Sequence, residues 1–199
     1  MRRSIAFFFA LATLTVWAGS VAPPLKVKVV VVAMFEAGAD TGDRPGEFQY
    51  WVEREQLDQV YPFPQGYRDL RGSADGSVLG VVTGVGTAKS SATIMALGLD
   101  PRFDLTEAYW LVAGIAGGDP HDISPGSAAW ATWLVDGDLA HEIDPREIPA
   151  DWKTGYIPLR KKEPYQQPVD RSEGEAYRLE PGLVGWADPC LFRRIAPTS

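Results

Sequence analysis

The chain has 199 residues, 45% of them apolar and 23% charged, and a formal net charge of −7. That length favours one domain able to bury a core, and the composition excludes collagen, coiled coil and wholesale disorder. The acidic balance argues against sequence-independent nucleic-acid binding and against docking on an anionic membrane, since both need clustered lysine and arginine.

The first segment carries a targeting pattern. Arg2 and Arg3 precede the apolar run Ile5 to Ala12, which continues to Val16-Trp17, and Ala18-Gly19-Ser20 offers a cleavage site. Residues 1–20 therefore read as a secretory signal peptide, with a short membrane anchor as the alternative. The expected location is exported, either periplasmic or secreted. The longest later apolar run, Val29 to Phe35, has the length of a buried strand and is too short to span a bilayer. Cys190 is the sole cysteine, which excludes an internal disulfide and any cysteine-rich metal site.

Pro23-Pro24 gives an extended lead-in. Lys26 to Met34 predicts a strand buried on both faces, because its apolar run is continuous and does not alternate. A glycine-rich loop, Gly38 to Gly46, follows. Phe48, Trp51, Val52 and Leu57 suggest a short helix, and the prolines of Tyr61 to Gly66 restrict that segment to loop or sheet edge. Val78 to Thr83 predicts the second strand, closed by Gly84-Val85-Gly86. Thr87 stands where an N-cap belongs, ahead of a helix ending near Gly98. Tyr109 to Ala113 is the third strand, with Gly114-Ile115-Ala116-Gly117-Gly118 as the loop after it.

Ser127 to Val135 and Leu139 to Ile143 flank Asp136-Gly137, a hairpin signal. Trp110, Trp130 and Trp133 are expected mostly in the core by strand alternation. From Asp144 onward the prolines and Arg160-Lys161-Lys162 read as an excursion with a solvated charged surface. The alternation of strands and helices, with glycines at strand ends, predicts an α/β fold with a mainly parallel or mixed sheet flanked by helices.

In such sheets ligands bind beyond the carboxyl ends of the strands. Thr83-Gly84-Val85-Gly86 turns the N-terminus of the next helix toward that crevice, which suits an anion, a water or a sugar oxygen. By itself a T-G-x-G turn also arises from tight strand-to-helix packing. His141 and Glu142 are neighbours on a strand and point to opposite faces, so they do not form a pair by adjacency. Asp119, His121 and Asp122 lack a helical ligand frame and read as a solvated loop.

The combination of T-G-V-G, a helix of small residues and Ala113-Gly114-Ile115-Ala116-Gly117-Gly118 resembles the nucleoside phosphorylase superfamily. Met34-Phe35-Glu36, Asp138 to Asp144, Arg146-Glu147-Ile148-Pro149, Trp152 and Thr154-Gly155-Tyr156 narrow the likeness to the purine nucleoside permease family. The resemblance covers roughly residues 26 to 187. It implies a nucleoside-phosphorylase-like α/β domain over 21–187, incomplete at its C-terminus, and a tail at 188–199 that does not look like the family. Family members are longer, and the resemblance places the ribose carboxylate and the purine acid in the part beyond this match.

The implied ligand is a purine nucleoside. No organic cofactor or metal is implied, with inorganic phosphate as the candidate co-substrate. The residues carried over as binding the substrate or phosphate are Thr83, Gly84, Gly86, Gly114, Ala116 and Gly117. Glu36 is the candidate carboxylate for activating water, with capping of its own loop as the alternative. N-glycosidic cleavage is implied for full-length relatives. For this chain the alternatives are a non-catalytic binding component of a nucleoside transport system and an inactive fragment, and a homo-oligomer is a further expectation.

Overall fold

The computed structural model describes residues 22–164, 166 and 176–187. The expected signal peptide, the tail at 188–199 and Cys190 lie outside the described residues. The chain forms two compact units that divide between Gly117 and Gly118.

The first unit is built on a five-stranded mixed sheet. Its strands are β2 (Val29–Ala33), β3 (Gln59–Tyr61), β4 (Leu70–Gly72), β5 (Val78–Val82) and β7 (Tyr109–Val112), in the spatial order β3-β4-β5-β2-β7. β2 lies between β5 and β7 and runs parallel to both, with Val31 opposite Gly80 and Leu111. β3 and β4 add an antiparallel edge. The continuous valine run places apolar side chains on both faces of β2, as a central parallel strand requires.

The expected single strand from Lys26 to Met34 is divided in two. β1 (Leu25–Lys26) pairs in parallel with β6 (Phe103–Asp104), and the chain then changes partner. Val27 donates to the Asp104 carbonyl, whereas Lys28 and Val29 both donate to that of Ser77. The switch from one neighbour to another breaks the strand at Val27-Lys28.

Helices cover the two faces. α1 (Gln49–Arg54) sends Val52 into a cluster with Ala33, Phe48, Leu57 and Val82. α2 (Thr87–Gly98) sends Leu97 into a cluster with Val30, Val32, Leu79, Val81, Phe63, Leu70 and Phe103. Val30 and Val32 against one helix, with Ala33 against the other, follow the period-2 alternation of a strand. Each large apolar side chain buried this way contributes about 1.5–3 kcal/mol. The edge of the Tyr61 ring meets Phe103 at 5.3 Å, closing that cluster. The N-cap of α2 is Gly86 and not Thr87, which is its first helical residue, and no side chain caps it.

The second unit contains two short ribbons. β8 (Trp133–Val135) pairs antiparallel with β11 (Ala176–Arg178), and β9 (Ala140–Glu142) with β10 (Tyr156–Pro158). The hairpin expected around Asp136-Gly137 does not form, because the two flanking strands take different partners. A two-residue hairpin of type I′ needs positive φ at both central positions. Gly137 is not among the positive-φ residues, and Asp136 instead accepts the Asp138 N–H with its side chain. A helix covers 181–187.

The tryptophans also depart from expectation. Trp110 is 42%, Trp130 40% and Trp133 44% exposed. Trp110 lies on the edge strand of its sheet and Trp133 on a ribbon of only two strands, so neither has a second layer to enter. Among the described residues, no helix is long and apolar enough to cross a membrane.

Candidate functional site

Three parallel strands of the first unit end together, and their C-terminal loops lie where open α/β sheets bind ligands, in the crevice beyond the strand ends. Met34 to Glu36 leave β2, Thr83 to Gly86 leave β5 on one side, and Ala113 to Gly117 leave β7 on the other. The order β5-β2-β7 therefore brings the two glycine turns to either side of the end of β2.

Glu36 is buried, and backbone donors surround its carboxylate. One oxygen accepts the N–H groups of Ala37, at 2.8 Å, and of Gly46; the other accepts those of Phe48, at 2.8 Å, and Gln49, at 2.5 Å. Phe48 and Gln49 open α1, so Glu36 caps that helix from a distance and closes the loop 37–46 onto itself. Burial pushes its carboxyl upward, but the four backbone donors outweigh burial and hold it below the usual carboxylate range. Arg68 fixes the same loop from outside, donating to the carbonyls of Gly38 and Glu36 and to the Asp40 carboxylate.

Thr83 is buried at 1% exposure. Its N–H continues the ladder by donating to the Ala33 carbonyl at 2.9 Å. Its hydroxyl lies 3.0 Å from the Ser90 hydroxyl and 3.1 Å from the Gly84 carbonyl, and its own carbonyl accepts from Thr93. The threonine thus ties the end of β5 to the first turns of α2.

Gly84, at φ +81°, turns the chain out of the sheet, and a Cβ there would come within 2.9 Å of the Tyr67 ring. The half-exposed Tyr67 ring lies beside Gly84, with the Lys89 ammonium 5.5 Å from its centroid. Gly86, Ala116 and Gly117 are exposed, and no atom lies within 4 Å of where a Cβ on Gly86 or Gly117 would stand.

Glu47 supplies a second carboxylate at this end of the sheet. Oε2 accepts the Met34 N–H at 2.8 Å and the Phe35 N–H at 3.3 Å, while Oε1 accepts the Ile115 N–H at 3.1 Å. The structure thus assembles Thr83, Gly84, Gly86 and Gly114 around the end of β2. Glu36 sits behind them, inside its own loop.

Sequence reasoning missed Glu47, Tyr67 and Lys89. Glu47 carried no signal of this role: it stands just before α1 but accepts N–H groups from the ends of β2 and β7 and none from the helix. Tyr67 follows a proline-rich segment with no periodicity to place it. In the second unit His141 and Glu142 are exposed on adjacent positions of β9. His121 belongs to a turn in which its N–H donates to Asp119.

Residues 26–190 match the family described as purine nucleoside permease. The chain belongs to that family. A Candida albicans purine nucleoside permease is 31% identical over 134 residues, which cover 66% of this chain and 32% of the relative. A Schizosaccharomyces pombe protein described as a probable purine nucleoside permease is 34% identical over 127 residues, 63% of this chain and 35% of that protein. The matched stretch spans about a third of the length of these relatives. No solved structure matches the chain.

Proposed function

We propose that this chain recognises a purine nucleoside in the crevice at the C-terminal ends of β2, β5 and β7, in the service of nucleoside uptake. The observation that carries this is the convergence of two glycine turns, the start of α2, the Tyr67 ring and Lys89 at one end of three parallel strands. Membership of a family described by that ligand gives the convergence its chemical meaning.

The parts suit a nucleoside. Backbone donors at glycine turns and at a helix start bind sugar hydroxyls or a phosphate without side-chain obstruction. A half-exposed aromatic ring offers a face for a purine, and base–aromatic stacking is worth about 1–3 kcal/mol. Lys89 suits an anion such as inorganic phosphate. In the longer relatives, cleavage of the N-glycosidic bond would develop positive charge at the ribose, which phosphate or an activated water stabilises.

Two observations favour recognition over bond cleavage in this chain, as a binding component of a transport system. The Glu36 carboxylate already accepts four backbone N–H groups, and the Thr83 hydroxyl is buried against Ser90 and Gly84. Neither group is placed to exchange a proton with a ligand. Calorimetric titration with inosine, guanosine and adenosine, with uridine and ribose as controls, tests the proposal. Heats confined to the purine nucleosides are expected; equal heats for uridine and ribose would contradict it.

A further inference from the structure

The pairing of β2 with β7 stops at a definite rung. Val32 lies opposite Val112, and Ala113 donates to the Val32 carbonyl at 2.8 Å. Beyond that point the two strands are joined by the Glu47 side chain, with Met34 and Phe35 on one oxygen and Ile115, 68 positions beyond Glu47, on the other. Glu47 is itself anchored, because its N–H donates to the Phe35 carbonyl at 3.3 Å. A carboxylate is suited to this position: it only accepts, and its two oxygens serve donors from both sides.

A second observation concerns the same joint. At Gly114 a Cβ would stand 2.3 Å from the Met34 methyl carbon and 3.5 Å from Glu47 Oε1. The loop backbone thus packs directly against the end of the Met34 side chain and beside the Glu47 carboxylate. Among the described residues the remainder of the loop has no comparable tether: Ala116 and Gly117 are exposed, and a Cβ on Gly117 would meet nothing within 4 Å.

We propose that Glu47 is the positioning residue of the crevice, a clasp that continues the β2–β7 ladder through its side chain and holds the loop 114–117 at the ligand. The affinity component of this proposal rests on the nucleoside reading above; the clasp itself does not. Without the carboxylate, Ile115 loses its acceptor and the loop leaves the crevice wall. Glutamine is no substitute, because its NH2 group turns a donor toward one of the two sets of N–H groups. Aspartate keeps the charge but is one methylene shorter and reaches only one side.

Amide hydrogen exchange on the 199-residue chain, read residue by residue by NMR, tests the clasp. Glu47→Gln and Glu47→Ala should raise exchange at Ile115 by about tenfold, the scale of one lost charge-assisted hydrogen bond. Val31 and Val81 should be unchanged, showing that the sheet is intact. Inosine affinity should fall by about tenfold in both variants, and Glu47→Asp should not restore it.

Equal Ile115 exchange in wild type and Glu47→Ala would overturn the clasp. Faster exchange with unchanged inosine affinity would overturn its role at the ligand. Absence of nucleoside binding in the wild type would instead refute the proposed function, and the exchange rates alone would then decide the clasp.

Discussion

The two units use strands of similar length to different effect. In the first, β2 has a parallel partner on each side and a helix-backed cluster on each face. In the second, each ribbon strand has a single partner, and Trp133, Leu134 and Val135 of β8 are all exposed. Among the described residues, every buried core hydrophobic except Ala187 precedes residue 118. A strand contributes to stability through what covers its faces, and a two-stranded ribbon without a second layer is marginal in water. The first unit therefore holds both the stability and the candidate site.

Matched substitutions on either side of residue 118 break or sharpen this contrast. Leu79→Ala, at a fully buried position beside α2, should cost about 2–5 kcal/mol. Leu134→Ala, at 47% exposure, should stay within about 0.5 kcal/mol. Urea unfolding of both variants is the check, and equal losses would show that the ribbons share the core's cooperativity.

Glu36→Gln comes next in size. It leaves buried N–H groups facing an NH2 group, at a cost of about 1–3 kcal/mol. The variant should also change the acid limb of stability. A carboxyl held below its ordinary value stabilises the fold above that ordinary value, about 4.3 for glutamate, and this contribution is lost as pH falls through the lowered folded value. Wild type should thus lose stability on acidification more steeply than the variant, measured as unfolding midpoint against pH. Parallel curves would assign the acid response to other carboxyls.

Gly84→Ala should cost about 1–2 kcal/mol, since φ +81° strains any residue with a Cβ and the added methyl meets Tyr67. It should also weaken purine nucleoside binding, read by calorimetry. Thr93→Val is expected to be the mildest of the series. It removes one buried hydrogen bond to the Thr83 carbonyl, worth about 1 kcal/mol, and leaves the ligand affinity near wild type.

Much of the first unit was legible in the chain. The valine run, the T-G-V-G turn and Tyr109 to Ala113 gave the three parallel strands, because each is a continuous apolar run with glycine marking its end. β4 was not legible: Leu70-Arg71-Gly72 has no alternation, and pairing with β5 creates it. In the second unit local signals misled. Asp136-Gly137 makes a turn, but β8 takes its partner from residues 176–178, a choice no short-range pattern encodes. The tryptophans failed for the same reason, since alternation gives a face but not what covers it.

At the candidate site the glycines were readable because backbone conformation is written in residue type. Glu36 was readable as a carboxylate at a strand end, whereas its loss of freedom depends on Gly46, Phe48 and Gln49 folding back over it. Glu47 reaches the end of β2 only through that same folding.

The central claim is that a purine nucleoside occupies the strand-end crevice of the first unit. Titrating the 15N-labelled chain with inosine tests it most directly, by locating the amides that respond. Shifts concentrated at Met34, Gly84, Val85, Gly114 and Ile115, absent with uridine, are the predicted result. Shifts confined to residues beyond 118, or the same pattern with uridine, would contradict it.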